Sequence, residues 1–155
     1  KVSAGLNGGE GVFYGKCAEL CGPSHALMDF KVKSLERKDF DAWIAAMQAT
    51  EGQTADKESS DVGEATFANS CLSCHAISGV GVSGALGPNL TTFGDRNRVA
   101  GFMDHTEEDV VKWIMDGMKP ESKLKPGNLM TGKYNVSEAE AEAIAKYLMS
   151  LSVED

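Results

Sequence analysis

The sequence has no apolar run approaching the roughly 20 residues that a membrane-spanning helix needs. Basic residues are scarce: 15 Lys and Arg stand against 23 Asp and Glu, for a formal charge of −8. That deficit argues against the basic surface by which proteins hold nucleic acid, so no nucleic-acid partner is expected. There is no internal repeat, and only three histidines occur, none before His25. The chain opens at Lys1 without a secretory leader and reads as cut inside a domain. What it does have, 42% apolar and 25% charged residues, excludes wholesale disorder.

A length of 155 residues fits one ordinary domain or two small ones, and the charge pattern favours two. Residues 1–49 balance six basic against six acidic residues, whereas residues 64–155 are net acidic. Between them Thr50 to Asp61 (TEGQTADKESSD) is polar and lacks apolar periodicity. The expected division is 1–50, a flexible acidic linker over 51–62, and 63–155.

Four cysteines come in two pairs. A bare pair reads equally well as a structural disulfide, but neither pair is bare. Cys71-Leu-Ser-Cys74-His75 has the spacing by which two thiols add across the vinyl groups of a porphyrin while the next imidazole reaches its iron. Alone, the motif also suits a zinc or redox site. Its setting is helical. Asp61 and Glu64 stand at capping-box spacing, as do Ser137 and Glu140. Phe67 and Cys71 share a helix face. Thr106 and Asp109 open a helix through about Met118 containing Val110, Trp113, Ile114 and Gly117. Ala141, Ile144, Ala145, Leu148 and Leu151 form an apolar stripe.

With Gly63-x-x-x-Phe67 ahead of this motif, Gly87-Pro88-Asn89-Leu90 after it, and a Met-bearing loop before the last helix, residues 63–155 resemble a class I cytochrome c. The resemblance implies haem c bound covalently at Cys71 and Cys74, with His75 on the iron. It implies that the Pro88 carbonyl fixes the second His75 nitrogen, and that Gly63 and Phe67 pack around Tyr147. Met103, Met115, Met118, Met130, Met149 and His105 compete for the sixth position. Met115 and Met118 belong to a helix, where gap filling is the ordinary role. Met130 ends the irregular stretch Lys125-Pro-Gly-Asn-Leu-Met130, the kind of loop in which the family places its axial Met, and is the expected ligand. His/Met ligation suits an electron carrier and leaves no open position for oxygen chemistry.

The other pair lies in Cys17-x-x-x-Cys21-x-x-x-His25-x-x-Met28. Thiolate, imidazole and thioether make a soft donor set suited to copper, and two thiolates can bridge two ions. The β-like run Gly11 to Lys16 precedes it, and Leu27 to Lys33 alternates like a half-buried strand, so the donors are expected on a loop between strands. Residues 11–28, with Phe40-Asp-Ala-Trp43 beyond, resemble the copper A loop of subunit II of haem–copper cytochrome c oxidases. The resemblance implies that Cys17 and Cys21 bridge two coppers, with His25 and the Glu19 carbonyl on one. Met28 would serve the other, together with a second His far upstream. The Glu19 carboxylate would touch a magnesium ion at the interface with subunit I. The upstream His, the earlier sandwich strands and the family's two membrane helices are absent, and about 50 residues cannot complete a sandwich of about 100. The fold class expected is therefore mixed: the C-terminal part of an incomplete β-sandwich cupredoxin, then an all-α class I cytochrome c domain.

Together the two segments resemble the caa3-type oxidase subunit II family. This implies an electron-transfer subunit of a cytochrome c oxidase, fed by a cytochrome c donor and partnered by subunit I and other oxidase subunits. It implies attachment to the bacterial cell membrane through missing N-terminal helices, with these domains on the extracytoplasmic face. Oxygen reduction would belong to subunit I, leaving no catalytic residue here, and the linker would hold donor near acceptor. A copper A nitric-oxide reductase subunit is an alternative reading. Nitrous-oxide reductase carries Trp-Phe where this loop has Ala-Glu-Leu. A stand-alone electron-carrier cytochrome leaves residues 11–28 unexplained. A thioredoxin-like copper chaperone would need a βαβ pattern around Cys17, and a disulfide-stapled domain leaves the His and Met without a role.

Overall fold

The computed structural model describes residues 11–79 and 81–154. The first ten residues of the segment expected as part of a cupredoxin lie outside them, as does Asp155. Strands β1 (Gly11–Lys16) and β2 (Asp29–Ser34) pair antiparallel, with Gly11 opposite Ser34 and Lys16 opposite Asp29. The last pair is also an ion pair, 2.6 Å from Lys16 Nζ to Asp29 Oδ1. Helix α1 (Arg37–Ala49) follows and buries none of its residues.

The half-buried strand expected for β2 is not what forms. Phe30 and Val32 are 52% and 44% exposed, and Phe13, opposite Val32, is 43% exposed. The alternation is real, but a sandwich face is buried only by a second sheet, and none of the described residues supplies one. The Phe30 ring instead lies over Gly15, where a Cβ would stand 2.3 Å from its Cζ.

The second unit is three helices wrapped in loops: α2 (Val62–Ser70), α3 (Glu107–Gly117) and α4 (Glu138–Met149), with a short 3-10 turn at Phe93–Asp95. Each helix starts where its cap residue stands. Asp61 accepts from the Glu64 amide, Thr106 from Asp109 and Ser137 from Glu140. The box is reciprocal only at α4; the Glu64 carboxylate instead accepts from the Asp56 amide at 3.2 Å. Helices α2 and α4 cross at Gly63, where a Cβ would meet the Ala143 carbonyl oxygen at 2.1 Å, so only glycine allows this approach. Beside the crossing, the Phe67 and Tyr147 rings lie 5.9 Å apart. The core holds Phe67, Val99, Val110, Ala141, Ile144, Ala145 and Leu148.

The stretch 51–62 is not free along its length, as a flexible linker would be. Ala55 is buried in this core, and the Gly52 amide donates to the Ser78 carbonyl at 3.3 Å. A small apolar side chain among polar neighbours anchors the stretch by leaving water. No helix among the described residues is long and apolar enough to cross a membrane.

Candidate functional site

Among the described residues, two constellations of side chains with metal-ligating atoms form. The first hangs between β1 and β2. The Cys17 amide donates to the Met28 carbonyl at 3.0 Å, closing the loop at its base. Gly22, at φ +118°, takes a turn that a side chain would strain, and its carbonyl accepts from the His25 amide at 3.1 Å. A short turn over His25–Leu27 then returns the chain to β2. The outcome is a compact donor cluster. Cys17 Sγ and Cys21 Sγ are 3.5 Å apart, and neither is in a disulfide. Cys21 Sγ stands 3.4 Å from His25 Nδ1 and 3.9 Å from Met28 Sδ. The Glu19 carbonyl oxygen is 3.2 Å from Cys17 Sγ. The sulfurs of Cys17 and Cys21 and a His25 nitrogen all fall within 4.8 Å of one another. The neighbouring Cys17 pushes the exposed Cys21 thiol above its ordinary pKa, through their hydrogen bond first. A cation that takes both sulfurs as thiolates removes that penalty.

The second constellation is a largely apolar cavity inside the helical unit. Cys71 caps α2, and its carbonyl accepts from the amides of Cys74 and His75 at 3.0 and 2.9 Å, which turns both thiols and the imidazole toward one space. His75 Nδ1 donates to the Pro88 carbonyl at 2.9 Å. A carbonyl can only accept, so the proton sits on Nδ1 and the Nε2 lone pair is left for a metal. Gly87 packs flat on the imidazole, where a Cβ would stand 2.5 Å from its ring. Burial, with Cys74 beside it, pushes the Cys71 thiol up to about 11.

Of the competitors for the iron's sixth position, Met118 and Met130 line this cavity, and Met103, Met115, Met149 and His105 do not. Met103 is buried in the core, and His105 Nε2 donates to the Phe93 carbonyl at 2.9 Å. The loop that carries Met130 is held by Asn128. Its Oδ1 accepts from the Met130 amide at 2.8 Å, and its Nδ2 donates to the Gly117 carbonyl at 2.9 Å. Sequence reasoning passed over Asn128, although an Asn two residues before a loop amide is the signal of such a turn. It also passed over Arg96, Lys125 and Tyr134. Arg96 and Lys125 line the cavity, and burial pushes the pKa of each down. Tyr134 shares a hydrogen bond of 2.9 Å with Ser73, between the two cysteines.

The family profile for cytochrome c matches residues 60–152. The chain belongs to the cytochrome c family. This cytochrome c unit fits haem: the cavity has apolar walls, paired thiols and an imidazole with the correct nitrogen free, and haem carboxylates would offset the buried charge of Arg96 and Lys125. A second profile, cytochrome C oxidase subunit II, periplasmic domain, matches residues 4–35 ahead of the cytochrome c unit. Over 148 residues the chain is 51% identical to cytochrome c oxidase subunit 2 of Bacillus sp. (strain PS3), covering 93% of this chain and 40% of that protein. It is 46% identical over 143 residues to the protein of that name from Alkalihalophilus pseudofirmus, covering 92% and 40%. For Bacillus subtilis (strain 168) the figures are 45% over 148 residues, 92% and 40%. The chain thus spans about two fifths of the length of these relatives.

Proposed function

We propose that this chain is the electron-entry part of a haem–copper terminal oxidase. It accepts electrons from a cytochrome c donor at haem c and passes them through copper A to subunit I. One observation carries this reading: a single chain holds a haem-type cavity and, apart from it, a Cys–Cys–His–Met cluster. Residues 1–50 then form the C-terminal part of a cupredoxin sandwich, 51–62 the connection, and 63–155 a class I cytochrome c domain. The site lies on the extracytoplasmic face of a bacterial membrane, among other oxidase subunits.

Cys71 and Cys74 would hold haem c covalently, with His75 and Met130 on its iron. Cys17, Cys21, His25, Met28 and the Glu19 carbonyl would hold copper A, and the Glu19 carboxylate, exposed on the loop, is free to reach a magnesium ion at the subunit interface. Each loaded centre supplies one-electron chemistry. The chain's own residues do the rest: Pro88 fixes the His75 proton, apolar side chains line the haem cavity, and Met130 would supply the remaining donor. His75 and Met130 would together leave such a haem suited to electron transfer, and oxygen reduction would then belong to another subunit. In the assembled oxidase, Cys17→Ser is expected to stop oxygen uptake from reduced cytochrome c while haem c stays reducible. Uptake at the unsubstituted rate would overturn the proposal.

A further inference from the structure

We propose that the copper-ligand loop and the Met130 loop are docked on each other as a fixed internal interface, with Ser24 as its positioning residue. The inference deepens the function proposed above and rests on it. Ser24 immediately precedes His25, and its hydroxyl donates to the Pro126 carbonyl at 2.6 Å across a sequence separation of 102. Pro126 lies four residues before Met130. The neighbouring residues meet as well. The Pro23 ring stands against Gly127, where a Cβ would lie 3.5 Å from its Cγ. On the other side of the loop, the Leu27 carbonyl oxygen stands 3.3 Å from where a Cβ of Gly101 would be. Gly127 and Gly101 have φ of +79° and +88°, so both contact points are places where the backbone favours glycine. Lys125 ties these two segments together, donating from Nζ to the Ala100 carbonyl at 2.5 Å, and both residues line the haem cavity.

The copper loop therefore touches, at once, the two segments that carry Ala100 and Lys125 into the cavity wall. A further anchor stands away from the loops, where Lys33 of β2 pairs with Glu154 at 2.8 Å. A linker alone would leave the separation of the two units to a broad distribution. Direct contacts of this kind hold it at one value. When both centres are loaded, one electron leaves the haem iron and arrives at the copper pair, with no bond made and no proton moved. Electron tunnelling weakens steeply with distance, so these contacts, and not the length of residues 51–62, set its rate.

The test uses the assembled oxidase with Ser24→Ala, Ser24→Thr, and a Gly-Ser insertion between Lys57 and Glu58. Two quantities are read: the rate from flash-reduced haem c to copper A, and hydrogen exchange of the Gly127 to Met130 amides. Ser24→Ala is expected to speed exchange roughly fivefold, the factor that loss of an ordinary hydrogen bond brings to an opening equilibrium, and to slow the transfer measurably. The haem potential and the copper resonance signal should stay unchanged. Ser24→Thr, which keeps the hydroxyl, restores both quantities, and the insertion leaves both alone. A Ser24→Ala variant with unsubstituted rate and exchange overturns the interface, as does a slowing by the insertion alone. If haem c never passes electrons to copper even without substitution, the proposed function fails, and the exchange comparison still decides the interface.

Discussion

Met118 and Met130 both face the haem cavity, and alanine substitution separates them. Met130→Ala is expected to remove the weak sulfur-to-iron absorption band of the oxidised protein and to lower the haem potential, while Met118→Ala keeps the band. Absorption spectra of the two variants check this, and loss of the band in Met118→Ala would reassign the ligand. Cys71 makes a second test. Its thiol is held at about 11, so in the haem-free chain few molecules carry the reactive thiolate near neutral pH. Alkylation of Cys71, followed by mass spectrometry, should accelerate only as the pH climbs toward that value. His105 gives a third. Burial holds its pKa below the ordinary range of about 6.5. A group depressed in the folded state contributes fully above its unfolded pKa and loses that contribution as pH falls. Melting temperature should therefore fall on acidification from neutral toward about pH 5, and His105→Gln should flatten the fall. At this scale the convergence of the thiols and His75 was legible because the chemistry of the motif dictates their spacing, whereas the Pro88 contact was legible only through the likeness to class I cytochromes c. Arg96 and Lys125 were not, because a basic residue in a loop carries no mark of burial.

Among the elements, the helix starts were the most legible part of the fold. Asp61, Thr106 and Ser137 each cap the helix that their spacing announced. The reciprocal half of the first box failed because the Asp61 amide donates to the Ser59 hydroxyl, while the Glu64 carboxylate accepts from the Asp56 amide. Strand β2 was legible as a strand and misread as half-buried, since alternation reports which residues could be covered and not whether a partner layer is present. The crossing of α2 and α4 is where a single methyl group matters most. Gly63→Ala places a Cβ 2.1 Å from a helix carbonyl, so the helices must separate. The expected cost is about 1–3 kcal/mol, to be read from denaturant unfolding of the haem-loaded protein, and an unchanged midpoint would refute the close approach.

For the whole molecule, the cytochrome c unit should fold and bind haem as residues 51–155 alone. Cutting further, to 63–155, removes Ala55 from the core and should lower the melting temperature by about 4 °C. Equal melting of the two pieces would show that Ala55 adds nothing. The copper loop behaves differently, because residues 1–24 hold no second imidazole to complete a dinuclear site. Copper added to the reduced 155-residue chain should give a mononuclear signal or none, and a seven-line resonance from one electron shared over two coppers would refute this. The docking of the two units was illegible in the sequence, because nothing local links Ser24 to a carbonyl 102 residues away.

The ties on the Met130 loop also bear on the order of assembly. Asn128 fastens the loop to Gly117, the Gly132 amide donates to the Met118 carbonyl at 2.7 Å, and Tyr134 is bonded to Ser73. Haem would enter more readily when those hydrogen bonds are open. Cys71 and Cys74 would then take hold of it while the strap is loose, and Met130 would reach it last. A chain that shuts empty would have to let those few bonds go before it could be filled.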